Sequence, residues 1–221
     1  MFWTDEGYLL TKNNYDENSV IIEVFTQSHG KCAGIVYGGS SRKQKRNFQI
    51  GNKISLNWRS KGQNKSGYFN VELIKPVSPQ FFDDKKRSIC ILSSTSILKI
   101  LLPESEINKK IYNSFDVMLD NLEAENWIKS YIYWELSLIK ELGFETDFLN
   151  KNNFYRDSIL INNKFFKIPK FLSKKDNAEY NNSNEVKEAL IFNKNLLIEN
   201  FFNPNRLKLP FFRKLLESYY S

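Results

Sequence analysis

The segment Gly38-Gly39-Ser40-Ser41-Arg42-Lys43-Gln44-Lys45-Arg46 carries the plainest chemistry in this chain. Small residues let a backbone approach phosphate, and four cations at this density neutralise several phosphates with release of their counterions. Arg59, Lys61 and Lys65 extend the charge, and Lys31 precedes it. From Gln27 to Lys75 there are ten Lys or Arg against one acid, Glu72. Tyr37, at a strand end beside the glycines, is expected to be exposed, and a ring stacked on a base contributes about 1–3 kcal/mol. Trp58 has the same chemistry but shares a face with Ile54 and Leu56, which assigns it to a core. The candidate nucleic-acid-binding set is therefore Lys31, Tyr37, Arg42, Lys43, Lys45, Arg46, Arg59, Lys61 and Lys65.

Catalytic chemistry is poorly supplied. The chain has no Gly-x-x-x-x-Gly-Lys-Ser/Thr, no Gly-x-Gly-x-x-Gly and no Gly-x-Ser-x-Gly. Asp83-Asp84 stand before a helical pattern, where adjacent acids act as caps and dipole partners. Asp5-Glu6 reads as a solvated turn, and His29 beside Gly30 as a turn histidine with no nucleophile motif near it. Two cysteines, Cys32 and Cys90, and the single His29 do not supply the four ligands of a structural zinc site. No catalytic set, metal or cofactor is expected. Free cysteines fit a reducing compartment. The start Met1-Phe2-Trp3-Thr4-Asp5-Glu6 lacks a signal-peptide pattern, and no apolar run is long enough to span a membrane. The expected setting is the cytoplasm.

The elements that must position these residues come in two kinds. The first seventy-six residues alternate with period two in short runs bounded by Gly, Asn and Ser turns. Phe2 to Tyr15, Ser19 to Thr26, Cys32 to Tyr37, Ile54 to Arg59 and Phe69 to Ile74 read as five strands, matching an OB-type barrel. Lys75-Pro76-Val77-Ser78-Pro79 ends the pattern, because proline cannot donate to a ladder. The domain boundary is placed here, giving 1–79 as an OB-fold nucleic-acid-binding domain and 80–221 as a mainly α-helical domain. The fold class is α+β. Of the net charge of +7, the first 79 residues hold +5, as expected of a phosphate-facing domain.

Beyond the linker the period becomes helical. A helix runs through Ile89 to Leu102 and stops at Pro103, and Glu104-Ser105-Glu106 are expected to open the next. Trp127, Tyr131, Trp134 and Leu138 form a stripe broad enough for the centre of a bundle, ending at Gly143. Residues 145–182 form an irregular insertion, in which Ser158 to Ile168 reads as a hairpin turning on Asn162-Asn163. Helices from Glu185 to Phe202 and from Pro210 to about Tyr219 close the chain.

The order of certain residues carries a family likeness. Trp3-Thr4-Asp5-Glu6-Gly7, Glu17-Asn18-Ser19, Phe25-Thr26, His29-Gly30, Ala33-Gly34 and Gly38-Gly39-Ser40-Ser41-Arg42 together resemble the opening of RecO, the bacterial recombination mediator and DNA repair family. Gly51-Asn52, Trp58, Phe81-Phe82-Asp83-Asp84, Leu102-Pro103-Glu104 and Tyr131-Ile132-Tyr133-Trp134-Glu135-Leu136 fit its later landmarks, as does Glu141-Leu142-Gly143-Phe144. The resemblance covers the whole length and is strongest before residue 145. It implies a non-enzymatic protein that binds single- and double-stranded DNA and anneals complementary strands. With RecR, and in one pathway RecF, such proteins help load RecA onto strands coated by the single-stranded DNA-binding protein SSB. It also implies contact with the acidic, apolar SSB C-terminal tail through the helical domain. Some members carry a four-cysteine zinc site, but Phe144 to Phe171 contains no cysteine here.

Two other readings use the same residues. In one, the barrel scaffolds a protein-interaction module, and Lys109, Lys110 and Lys129 meet an acidic peptide tail. In the other, the chain is an RNA-binding OB protein without annealing activity.

Overall fold

A computed structural model describes residues 2–41, 44, 48–60, 67–144, 158–173 and 183–220. Five strands form a closed barrel in the order β1-β2-β3-β5-β4. They are β1 (Phe2–Asn14), β2 (Ser19–Thr26), β3 (Gly30–Tyr37), β4 (Lys53–Arg59) and β5 (Tyr68–Lys75). The long β1 serves two neighbours: Phe2 to Tyr8 pair with β4, and Gly7 to Asn14 pair with β2. A register shift between Leu9 and Thr11 bends the strand between these duties, the usual role of a bulge at a barrel corner. β3 and β5 run parallel and meet at one residue pair, Ile35 with Tyr68. This is the five-stranded OB-type order that the alternation implied.

Alternation decides what fills the barrel. Leu9, Val20, Ile22, Val24, Val36, Phe48, Ile54, Leu56, Phe69 and Val71 form the buried core, with Trp3, Cys32 and Trp58 packed against it. Trp58 is therefore an interior residue, as its phase with Ile54 and Leu56 requires.

The linker is pinned rather than loose. The buried Asn52 side chain accepts from the Val77 and Ser78 amides at 3.0 and 3.2 Å. A short 3₁₀ turn, Ser78–Phe81, leads to α1 (Lys85–Leu101), where Asp84 caps the helix by accepting from the Arg87 amide. Burial opposes ionisation of the Asp84 carboxyl, but the Arg87 hydrogen bonds and charge outweigh it and hold the group below its ordinary value. Pro103 does end α1, yet Glu104-Ser105-Glu106 do not open a helix. Lys31 forms an isolated bridge with Glu104, and the Ser105 amide donates to the Lys31 carbonyl at 2.8 Å. The segment turns at Ser105 (φ 58°) against β3, and α2 (Lys109–Asp120) starts later, where Asn108 accepts from the Ile111 amide at 2.9 Å. Tyr112 packs its ring on Tyr8 and Phe25. By compactness the chain divides into Met1–Tyr112 and Asn113–Ser221. The first unit thus contains the barrel, α1 and the first turn of α2.

The second unit is helical. It holds the rest of α2, α3 (Trp127–Glu141), α5 (Ser183–Leu197) and α6 (Phe211–Ser218), and a π-helical turn, Ile198–Phe202, continues α5. Trp127, Tyr131, Trp134 and Leu138 are all buried, and Gly143 (φ 97°) stops α3 in the left-handed region. Strands β6 (Ser158–Ile161) and β7 (Lys164–Lys167) make the hairpin on Asn162 and Asn163, whose φ values of 48° and 62° match a primed turn. A single turn of helix, α4 (Lys170–Ser173), follows.

One polar network lies inside this unit. Arg213 on α6 and Glu135 on α3 are both fully buried. Arg213 Nε donates to Glu135 Oε1 at 2.5 Å, and Nη2 donates to Oε2 at 3.1 Å and to the Leu190 carbonyl at 2.7 Å. Tyr131 and Asn193 also donate to the Glu135 carboxylate. Burial disfavours the Arg213 charge, but Glu135 and Glu217 more than compensate and keep it firmly protonated.

Candidate nucleic-acid interface

The cation-rich loops leave the barrel at described residues, and those exits define the site. After β3, Ser41 N donates to the Gly38 carbonyl, and Ser40 Oγ donates to the Glu17 carbonyl at 2.8 Å. This fastens the loop's start to the β1–β2 turn. That turn is itself ordered by Asp16, which accepts from the Asn18 and Ser19 amides. The Asn18 bond is the main reason the Asp16 carboxyl sits below its ordinary value. The loop returns at Phe48, buried in the barrel core beneath the Lys12 ammonium. Arg42, Lys43, Lys45 and Arg46 lie outside the described residues.

The second loop leaves β4 at Arg59 and re-enters at Gly67. The Gly67 carbonyl accepts from the Ile35 amide at 3.1 Å. A Cβ on Gly67 would come within 2.0 Å of the Trp58 indole nitrogen, so only glycine lets the strand pass this close. Lys61 and Lys65 also lie outside the described residues.

Between these exits the structure brings together residues that the sequence had only in part. Tyr37 is 66% exposed, as its place beside the glycines implied, and its ring lies 6.0 Å from Tyr68. Arg59 pairs across β4–β5 with Tyr68 and across β1–β4 with Phe2. Directly opposed residues point to the same face. The Arg59 guanidinium sits over the Phe2 ring at 5.4 Å, a cation–π contact of about 0.5–1 kcal/mol at an exposed site. Phe2 is itself 61% exposed. A row Tyr37–Tyr68–Arg59–Phe2 thus crosses the outside of β3, β5, β4 and β1. Neither Phe2 nor Tyr68 was singled out from sequence. The available signal was phase: each is one residue out of step with the core residues Trp3 and Phe69.

The rest of this outer face changes character along the strands. The next row is Thr4, Asn57 and Asn70, with Thr4 Oγ1 bonded to Asn57 Oδ1 at 3.2 Å. After it come Glu6, Ser55 and Glu72. The face therefore grades from cationic and aromatic through neutral to mixed charge, where Lys53 pairs with Glu6 at 3.1 Å and stands opposite Lys75.

Lys31 stands apart from this row. It is six residues from Tyr37 on the same strand, about 20 Å at 3.3 Å per residue. Its ammonium donates to the Lys99 carbonyl at 2.8 Å, in the last turn of α1. A cation there satisfies an orphan helix carbonyl and favours the helix dipole. Its charge is engaged within the protein. Lys109 and Lys110 are exposed in the first turn of α2, and Lys129 is half-buried in the first turn of α3. The first two belong to the barrel unit and the third to the helical unit.

The helical unit contains a groove of about 370 Å³ lined by Phe165, Phe166, Lys167, Pro169, Glu188, Ile191, Phe192 and Asn195. Among the described residues no group of three or more His, Cys, Asp or Glu is placed to hold an ion. The two free thiols sit in β3 and α1, and burial pushes the Cys32 thiol up to about 11. The residues present do not fit a four-cysteine zinc site. No helix among the described residues is long and apolar enough to cross a membrane.

Residues 1–77 match the family model described as Recombination protein O N terminal, and residues 83–211 match Recombination protein O C terminal. The chain is 36% identical over 149 residues to a DNA repair protein RecO of Ehrlichia chaffeensis, covering 66% of this chain and 60% of that one. A DNA repair protein RecO of Wolbachia pipientis is likewise 36% identical over 149 residues, covering 66% and 61%. One from Roseobacter denitrificans is 36% identical over 145 residues, covering 65% and 60%. The chain spans about three fifths of the length of the curated relatives it matches. Both halves match in order and the barrel has the expected topology: the chain belongs to the RecO family.

Proposed function

We propose that this protein is a DNA-binding recombination mediator that holds single- and double-stranded DNA on its barrel and anneals complementary strands. The observation that carries the reading is the outer row of Arg59 with exposed aromatic rings, set between the exits of two loops that hold six Lys or Arg in sequence. Cations held by a folded barrel attract the phosphate backbone without reading sequence. In this reading the protein acts in the cytoplasm and catalyses no bond making or breaking. It works with RecR, and in one pathway RecF, to load RecA on SSB-coated strands.

Annealing of complementary strands coated with SSB, with and without the protein, tests the activity. Replacing Arg42, Lys43, Lys45 and Arg46 together by Glu tests the surface. Loss of about four phosphate contacts lowers the slope of log affinity against log salt by roughly 3 to 4. Unchanged DNA affinity and unchanged slope in that variant would refute the assignment.

A second reading is favoured by the groove of the helical unit, where Phe165, Phe166, Ile191 and Phe192 offer apolar surface beside Lys167. An acidic, apolar peptide such as the SSB C-terminal tail fits that combination. Titrating a labelled tail peptide against the wild type and an Ile191→Glu variant separates this contact from DNA binding.

A further inference from the structure

The row Tyr37–Tyr68–Arg59–Phe2 does more than supply one cation to phosphate. Three aromatic rings sit on the outside of a barrel whose core is already filled. Two of them are more than half exposed, at 66% for Tyr37 and 61% for Phe2. Phe2 and Tyr68 share the outer side with Arg59 by cross-strand pairing, and Tyr37 continues the row across the β3–β5 join, its ring 6.0 Å from Tyr68. The row crosses three strand spacings, about 14 Å along the curved wall of the closed barrel, a path for a single strand that wraps the surface. Arg59 lies within the row, its guanidinium already seated on Phe2.

Resting on the DNA-binding reading above, we infer that this row is a stacking platform for unpaired bases, formed by Phe2, Tyr37 and Tyr68 with Arg59 among them. Its occupant is a single strand rather than a duplex, because only an unpaired, splayed base presents its π-face to a ring on an open surface. Charge complementarity points the same way. From Tyr37 to Tyr68 the chain carries eight Lys or Arg and no acid. Toward the other end of the strands the charge is mixed, with Glu72 in one row, Glu6 held by Lys53 at 3.1 Å and Lys53 opposite Lys75. The uncompensated charge therefore lies with the aromatic row and its cationic flank, where the strand is placed. Stacking on rings is tolerant of base identity, so the platform sets preference for unpaired over paired DNA and not for sequence. The phosphate-binding loops set overall affinity for both forms.

The test uses the full chain with Phe2→Leu, Tyr37→Leu and Tyr68→Leu combined, which keeps exposed bulk while removing the rings. Binding is measured to a fluorescent thymine 20-mer and to a duplex of equal length, at two salt concentrations. The expected result is a loss of at least about tenfold for the single strand, with duplex affinity and both salt slopes little changed. A 2-aminopurine base in the single strand reports stacking directly, and its quenching by wild-type protein disappears in the variant. Equal losses on the two DNAs, or no loss and persistent quenching, overturn the platform. The four-glutamate loop variant separates the two levels. If it weakens both DNAs while the ring variant changes neither, the platform fails and DNA binding stands. If neither variant changes any binding, the underlying reading fails.

Discussion

Arg213 in the helical unit is wholly buried, with its donors on Glu135, Glu217 and the Leu190 carbonyl. Arg59 in the barrel unit ends β4 with its guanidinium over an exposed ring. Between these extremes stands Arg87, whose Nη1 lies 2.5 Å from Asp84 at the start of α1, with both side chains partly exposed. All three count equally toward the net charge of +7. Only Arg59 stands in the outer row proposed to meet nucleic acid. Charge totals therefore locate an excess, while the position of each cation decides whether it serves folding or binding. Lys31 makes the same point, since it belongs to the basic run but caps a helix carbonyl.

The largest expected effect breaks the buried end of this series. Arg213→Ala strands the Glu135 carboxylate in the helical core and is expected to cost about 3–5 kcal/mol. Arg59→Ala, on the surface, stays within about 0.5 kcal/mol. Chemical denaturation of both variants measures the contrast, and equal losses would erase it. Replacing Glu135 as well, by Leu, restores a substantial part of the Arg213 loss, because no unpaired charge then remains.

A smaller effect probes what holds Arg59 in place. Gly67→Ala forces a methyl against the Trp58 indole, and overpacking of this kind costs about 1–3 kcal/mol. Trp58 precedes Arg59 on β4, so the shift also weakens single-strand binding. A variant of wild-type stability and affinity would show that the indole yields freely.

The smallest effect concerns the intermediate pair. Asp84→Ala removes the α1 cap and is expected to cost about 1 kcal/mol. In the folded protein the Arg87 hydrogen bonds and charge outweigh burial and hold the Asp84 carboxyl below its ordinary value. Its contribution is therefore present above pH 4 or so and is lost as pH falls through the folded value. Wild type and variant should converge in stability toward acid, and a constant gap down to low pH would contradict that assignment.

Local rules made much of the molecule legible. Alternation gave the five strands and the interior place of Trp58, and Asn162-Asn163 gave the β6–β7 turn. The broad stripe from Trp127 to Leu138 gave the buried centre of the helical unit. Two departures share one cause, pairing between residues distant in the chain. Glu104-Ser105-Glu106 has the composition of a helix start, but its backbone is drawn along β3 by Lys31. Nothing local links Glu135 to Arg213, seventy-eight positions apart. Within the site, Tyr37 and Arg59 were legible from the glycines and the strand phase. Phe2 and Tyr68 carry a weaker signal because each sits at a strand start, where alternation has barely begun.

The parallel meeting of β3 and β5 has a consequence for ligand linkage. The ring of strands is completed there by one residue pair, Ile35 with Tyr68, beside the bond from the Ile35 amide to Gly67. Tyr37 and Tyr68 stand on opposite sides of that join. A nucleic-acid strand laid across both rings would act as an external clasp, favouring the closed ring over any opened form by mass action. Occupancy of the barrel's surface and closure of its wall would then be two readings of one equilibrium.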